Sequence, residues 1–473
     1  MALGFINWVL LLLSWAAGSA EPGHRRAQQA PRGDARGERS RAREGGVTLR
    51  FLHAKDLPPR MRATSVFRTI IAFQQTFVTG VHFDADTVVI DVAPTFKAPR
   101  CSGCHRKVKK GYDHRVRTWR HLDLCGMLTL LRYGIRRVDC PRCGVKVEKV
   151  PWADTGSHFT KPFENQVAYL AQRCDKTTVT KLMRIGWRTV GEIAERVVKR
   201  GGLTAPAQLD GLTVIGIDEI SYRKHHKFIT IVTNHLSGAV VWAAEGKSAE
   251  TAKGFFAALG PERCAQLEAV TLDMSAAFIK AITDCAPKAK LIFDRFHVQR
   301  LAHNALDEVR RKLINDAEDK DERKAIKGTR WALQKNAWNL DADEKKTLQE
   351  IRERNEPLSR AYELKESLRG ILDRRQVNVA RVKLNEWADW ASRSLLAPFV
   401  RVAGTIRKYM DGILEYVRTG LNNGRAEGMN NKVRAITKRA YGFHNATSLI
   451  GMVLLCCGGL HLDPSHVPPY GTH

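Results

Sequence analysis

Two aspartates close apolar, strand-like runs: Asp218 in LTVIGIDEIS and Asp273 in LEAVTLDMSAAF. If their strands lie side by side, two carboxylates meet in a half-buried place, where neither stays ionised cheaply without a cation. Mg²⁺ (or Mn²⁺) suits such a pair, because it prefers carboxylate oxygens and keeps positions open for phosphate. A single strand-end aspartate is ordinary and can simply cap the next turn, so it is the pair that points to metal-dependent phosphoryl chemistry. A third acid, Glu427, lies in GRAEGMNNKVRAITKRAYG. On a helix, Met429, Val433, Ile436 and Ala440 share one face, while Glu427, Asn431, Arg434 and Lys438 share another. The first stripe packs on a core and the second presents an acid among cations. Such a charged face is ordinarily just solvated, and Glu427 alone decides nothing.

Four of ten cysteines form two pairs, Cys101/Cys104 in CSGC and Cys140/Cys143 in CPRC. Each Cys-x-x-Cys turns the chain tightly enough to aim two thiolates at one cation, and two knuckles complete a tetrahedral Zn²⁺ site. A redox pair is the competing reading, but two pairs flanked by strand-like ADTVVIDVAP and YGIRRVDC favour structural zinc. His105, His121 and Cys125 are substitute ligands, each more ordinary as a surface or core residue. Cys174, Cys264, Cys285, Cys456 and Cys457 lack partner spacing and read as small apolar residues.

The elements that must position these groups follow from periodicity. DKTTVTKLMRIG and WRTVGEIAERVVKR are short amphipathic helices joined at Gly186–Trp187, with Thr177 and Thr180 opening the first and Arg188 and Thr189 the second. A helix-turn-helix has this shape, its second helix entering the major groove; any short helical hairpin has it too. From residue 212 the pattern reads β-β-β-α-β-α-β, with a turn at Ser237–Gly238, a Ser-capped helix in SAETAKGFFAALG and a last strand in AKLIFDRFHV ending on Asp294. That order implies a mixed sheet between helices. Residues 298–420 are helical and charged throughout. Trp331 and Trp338 in this stretch are of the kind that stack on an unpaired base, although tryptophans more often fill cores.

Lysine and arginine outnumber aspartate and glutamate by 77 to 49, a net charge of +28 over 473 residues. The excess survives when residues 1–60 are set aside. A basic folded body points first to nucleic acid and second to an anionic membrane surface. The apolar start MALGFINWVLLLLSWAAGSA resembles a secretory signal without its leading positive charge. Residues 21–46 are Arg/Gly/Ala-rich, with almost nothing to bury, and read as disordered. Export is at odds with paired thiolate knuckles, so the expectation is a start site placed too early, with the functional chain beginning near Met61. SLIGMVLLCCGGL is too short to span a membrane and reads as a buried helix.

The motifs CSGC…CPRC, WRHLDL, IGIDEIS, TLDMSAAF, FDRFHV and GRAEGMNNKVRAITKRAYGF, in this order over about residues 61–462, resemble those of the DDE transposases of bacterial insertion sequences, specifically the ISL-three family. The resemblance implies a multidomain α+β and α/β chain. A zinc-ribbon domain (61–150) and a helix-turn-helix domain (151–205) precede an RNase H-like catalytic domain (206–297 and 421–462). An all-helical insertion (298–420) interrupts that last domain, and 1–60 and 463–473 are an extension and a tail. It implies Asp218, Asp273 and Glu427 as catalytic, Mg²⁺-binding acids and gives Asp294 no primary metal role; Asp294, with His297 beside it, is a secondary candidate. Arg188, Thr189, Asn431, Arg434, Lys438 and Arg439 are the expected contacts to double-stranded DNA, and Cys101, Cys104, Cys140 and Cys143 hold zinc. The expected protein cuts inverted repeats and joins their 3′ ends to a target as a homo-oligomer, in the cytoplasm on the nucleoid. A catalytically silent DNA-binding derivative and another RNase H-like nuclease, such as a junction resolvase, are the competing readings.

Overall fold

The computed structural model describes residues 63–462 except 110, 224–226 and 422–423, and leaves the side chains of 425–427 undescribed. The signal-like segment, the Arg-rich stretch and the tail after 462 lie outside the described residues. Helix α1 (Ala63–Ile71) leads into β1 (Thr76–Asp84), β2 (Thr87–Pro94), β3 (Gly111–Arg120), β4 (Leu128–Cys140) and β5 (Gly144–Val147). They form one sheet in the order β1-β2-β4-β3, with β5 on the far end of β4. Alternation in TVVIDVAP puts Val88, Ile90 and Val92 into a core with Trp119, Leu131, Ile135 and Trp152. The indoles of Trp119 and Trp152 meet edge to face at 5.6 Å.

Three helices follow: α2 (Lys161–Arg173), α3 (Lys176–Met183) and α4 (Trp187–Arg200). Thr160 caps α2 and Asp175 caps α3, so the helix expected to open on Thr177 and Thr180 starts slightly earlier. Gly186 and Trp187 form the predicted junction. The fully buried Glu164 of α2 accepts 2.7 Å bonds from Arg196 and Arg200 of α4 and from Ser157. Two arginines from one helix thus clamp it to its neighbour.

The second sheet contains β6 (Val214–Arg223), β7 (Lys227–Asn234), β8 (Val240–Glu245), β9 (Ala269–Leu272) and β10 (Lys290–Phe293), in the order β10-β9-β6-β7-β8. The β6-β7-β8 pairs are antiparallel; β9 and β10 add in parallel. Helices α5 (Ala249–Leu259), α6 (Pro261–Cys264) and α7 (Ala276–Cys285) occupy the crossovers. This is the mixed sheet expected from the element order. One expectation needs correction: β6 does not end on Asp218. Its pairing with β9 stops at Gly216, but its ladder with β7 carries the strand on to Arg223. Asp218 therefore lies mid-strand, just past the point where the parallel neighbour stops.

Both faces of this sheet are buried, in different company. Ile215, Ile217, Val232 and Val270 pack with α5, α7 and the helices that follow β10. Ile220, Tyr222, Ile229 and Ile231 pack with α2, α3 and α4 and with the chain's last two helices. Between β10 and those two run α8 (Arg295–Asp316), α9 (Lys320–Gly328), α10 (Arg330–Gln334), α11 (Ala342–Arg354), α12 (Glu356–Leu372), α13 (Val377–Ser392), α14 (Ala397–Lys408) and α15 (Met410–Thr419). Gly412 lets α15 lie against β10, since a Cβ there would overlap the Phe293 ring. Then come α16 (Gly424–Arg439) and α17 (Ala446–Cys457). The stripe read from sequence holds: Met429, Val433 and Ile436 are buried and Ala440 packs beside them. Each of the three contributes roughly 1.5–3 kcal/mol by burial. The apolar C-terminal run is α17, its Leu449, Val453 and Leu455 fully buried. Among the described residues no helix is long and apolar enough to cross a membrane.

Candidate active site

A cavity of about 310 Å³ opens where β6 and β9 part, lined by Asp218, Glu219, Asp273, Asp294, Phe296, His297, Arg300, Asn430 and Arg434. Asp273 is the first residue after β9, and its Oδ1 accepts from the Ser275 backbone N–H at 3.0 Å. Asp218 comes from β6 with two donors on it: Glu219 N–H to Oδ1 at 2.7 Å and Asn430 Nδ2 to Oδ2 at 2.7 Å. The second bond spans 212 residues and ties α16 to the sheet at the site. Burial nonetheless raises the Asp218 carboxyl above its ordinary value, against the pull of those two donors and of His297. Glu219 is raised as well, first by burial and then by the Asp273 charge, while Lys247 opposes the shift. Negative charge in this pocket is under-compensated, the condition in which a hard divalent cation binds carboxylates.

Asp294 caps α8, its Oδ1 accepting from Phe296 N–H at 3.3 Å, and is nearly buried. His297 lies one turn in; among the described residues its buried Nδ1 has no hydrogen-bond partner. Glu427 belongs to α16, three residues before Asn430; its side chain lies outside the described residues. Asn430, Glu219 and Arg300 went unread in the sequence. For Asn430 a signal was there, since it follows Glu427 by three residues and so lies on the same side of the helix.

Known proteins bear directly on this arrangement. A family profile described as a transposase matches residues 215–453, spanning every acid of the cavity. A second, the helix-turn-helix domain of transposase family ISL3, matches 148–198. A third, the zinc-finger of transposase IS204/IS1001/IS1096/IS1165, matches 97–143. The transposase for insertion sequence element IS1557 of Mycobacterium tuberculosis is 35% identical over 434 residues, covering 84% of this chain and 96% of that protein. The chain belongs to the ISL3 family of transposases. The transposase for IS1001 of Bordetella parapertussis is 29% identical over 362 residues, covering 76% and 89% of the two chains.

The zinc-ribbon match coincides with an ISL3 feature that is built in full. The Sγ atoms of Cys101, Cys104, Cys140 and Cys143 all lie within 4.8 Å of one another. The backbone N–H groups of Arg142 and Cys143 help lower the Cys140 thiol to about 7, whereas neighbouring sulfurs, with burial, raise Cys143 to about 12. Four thiolates cannot coexist there unaided, and a tetrahedral Zn²⁺ fits the donor set. A Cβ at Gly103 would sit 3.3 Å from Cys143 Sγ, a tight approach that a side chain there would crowd. Of the substitute ligands, His121 is buried and bonds Thr160 at 2.9 Å, Cys125 is exposed on a turn, and His105 lies 3.3 Å from the Lys149 ammonium. None of the three joins the sulfur cluster.

The expected DNA contacts divide. In the helix-turn-helix, Arg188 is 93% exposed at the start of α4 but already paired with Glu192 at 3.0 Å; Thr189 is half-buried. Glu192, Glu195 and Lys199 complete the outward face of α4, which therefore carries mixed charge. On α16, Asn431, Arg434 and Lys438 are exposed, and Arg434 donates to Asn431 Oδ1 at 3.2 Å while lining the acidic cavity. Arg439 does not face outward. Its guanidinium donates to the Gln172 and Ala171 carbonyls at 2.9 and 2.8 Å, closing the C-terminal end of α2, where free carbonyls attract a cation. Trp331 and Trp338, read as more often core residues, are each 66% exposed.

Proposed function

We propose that this ISL3 transposase cuts DNA at the inverted repeats of its insertion sequence and joins the freed 3′ ends to target DNA by metal-dependent phosphoryl transfer. The observation that carries the reading is the bond from Asn430 to Asp218. It brings the helix of Glu427 onto the strand pair that presents Asp218 and Asp273, as a three-acid site requires. Asp218, Asp273 and Glu427 would hold Mg²⁺ or Mn²⁺, which supplies Lewis-acid stabilisation of charge on the phosphate.

The remaining roles belong to the chain. Asn430 orients Asp218 and stabilises its ionised form. Arg300 and Arg434, at the cavity rim, neutralise phosphate oxygens, with Lys438 and Asn431 further along the strand. His297 Nδ1 is available to a phosphate oxygen or a water. The strand order β8-β7-β6-β9-β10 supports an RNase H-like domain, interrupted between β10 and α16 by the helices of 295–419. The helix-turn-helix and zinc ribbon recognise the double-stranded ends, and pairing two ends calls for more than one copy.

The test is cleavage of labelled inverted-repeat duplexes by purified protein with Mg²⁺. Asp218→Asn and Asp273→Asn should abolish cutting while end binding persists. Asn430→Ala should weaken metal affinity roughly 10–100-fold. Full cleavage by Asp218→Asn would sink the assignment; binding without cleavage by the parent protein would make this a DNA-binding derivative.

A further inference from the structure

A second cavity, of about 320 Å³, adjoins the acidic one and shares Asp294 and Phe296 with it. Its other walls include Trp338, Arg369, Asn336 and Gln299. Two large aromatic rings stand at it: Phe296 is 49% exposed and Trp338 66%. Trp338 sits on a one-turn 3₁₀ segment, Ala337–Asn339, between α10 and α11. Its ring is backed by the Arg369 guanidinium, whose carbon lies 4.0 Å from the ring centroid. Arg369 is in turn paired with Glu366, while among the described residues its buried Nε has no hydrogen-bond partner. The indole is thus propped from behind and open in front. The cation–π contact holds the ring in place, while the residue stays 66% exposed.

We propose that this cavity receives one unpaired base of the DNA strand whose phosphate occupies the acidic pocket. The proposal rests on the phosphoryl-transfer reading of that pocket. A base presents a flat π-face, which suits Trp338 and Phe296, and an edge of donors and acceptors, which suits Asn336 and Gln299. Arg295 and Arg369 line the same wall, each already paired with an acid, Asp373 and Glu366. An aliphatic or purely anionic ligand would use only part of this set. The shared wall matters most, because a nucleotide next to the bound phosphate reaches the neighbouring cavity without leaving the strand. Taking a base out of the duplex there also frees the backbone to bend toward the acids.

Binding of inverted-repeat duplexes, measured without divalent metal, separates this idea from the cleavage chemistry. Three forms of each end are compared: fully paired, with one unpaired nucleotide beside the cut, and with an abasic residue at that nucleotide. The position is scanned over the nucleotides flanking the cut. The parent protein should bind the unpaired form roughly 10–100-fold more tightly than the abasic form at one position. Trp338→Ala should lose that preference and Trp338→Phe should keep most of it. No preference at any position, or a preference unchanged in Trp338→Ala, overturns the proposal. If Asp218→Asn still cuts, the acidic-pocket reading fails instead, while the metal-free binding preference is unaffected.

Discussion

Glu164 offers the sharpest quantitative test of how the helix-turn-helix is held together. Its carboxylate is fully buried and takes three 2.7 Å bonds, from Arg196, Arg200 and Ser157. The arginine side chains are themselves 28% and 23% exposed, and Arg200 keeps Asp154 and Asn165 as partners. Glu164→Ala therefore strands Arg196 most severely and leaves Arg200 partly satisfied. Removing one partner of a buried pair costs about 3–5 kcal/mol; the partial exposure of the cations puts the expectation near the lower end, about 3 kcal/mol. Glu164→Gln retains an acceptor but no charge, and should cost about half as much. In a chain of this length the loss is best read locally, by hydrogen exchange of the amides of α4. At about 1.4 kcal/mol per tenfold, Glu164→Ala should speed their exchange at least about a hundredfold relative to those of α12. Exchange within threefold of the parent in both variants, roughly the size of a surface effect, would show that water already screens the cluster.

Three further expectations follow from the same physics. A carboxyl raised in the folded state binds more protons there than in the unfolded chain, so its contribution is intact at low pH and declines as pH rises through the folded pKa. With Asp218 raised by burial, metal-free Asp218→Asn should melt above the parent at neutral pH and match it near about pH 4; added Mg²⁺ should stabilise the parent alone, and a lower neutral-pH melt for the variant would contradict this. Cys140→Ser, or chelation of the parent, should release zinc by elemental analysis and unfold the segment around residues 97–150 first, seen as early proteolysis there. Gly412→Ala should lose about 1–3 kcal/mol by denaturant unfolding, because its Cβ has only the Phe293 ring to occupy.

Much of the site was legible because its signals are local. The two Cys-x-x-Cys knuckles, the apolar runs before Asp218 and Asp273 and the stripe of Met429, Val433 and Ile436 each declare themselves within a few residues. Where reading failed, the missing term was a distant partner. Asp218 looked like a strand end because the apolar run stops there, yet β7 extends the strand to Arg223. Arg439 looked like a DNA contact until the carbonyls of Ala171 and Gln172, 268 and 267 residues away, claimed it. Asn430 had helical spacing in its favour, but nothing local distinguishes it from Asn431.

By itself the sequence determined the element types, the four cysteines that cluster and the acids on β6 and after β9, since periodicity and short-range spacing are properties of neighbouring residues. Only the tertiary structure decided that the helix-turn-helix is no separate module: its apolar face and those of α16 and α17 close one core on the back of the second sheet. Apolar faces carry no address. Burial drives them together without direction, and which face meets which is settled by the shape of the whole chain.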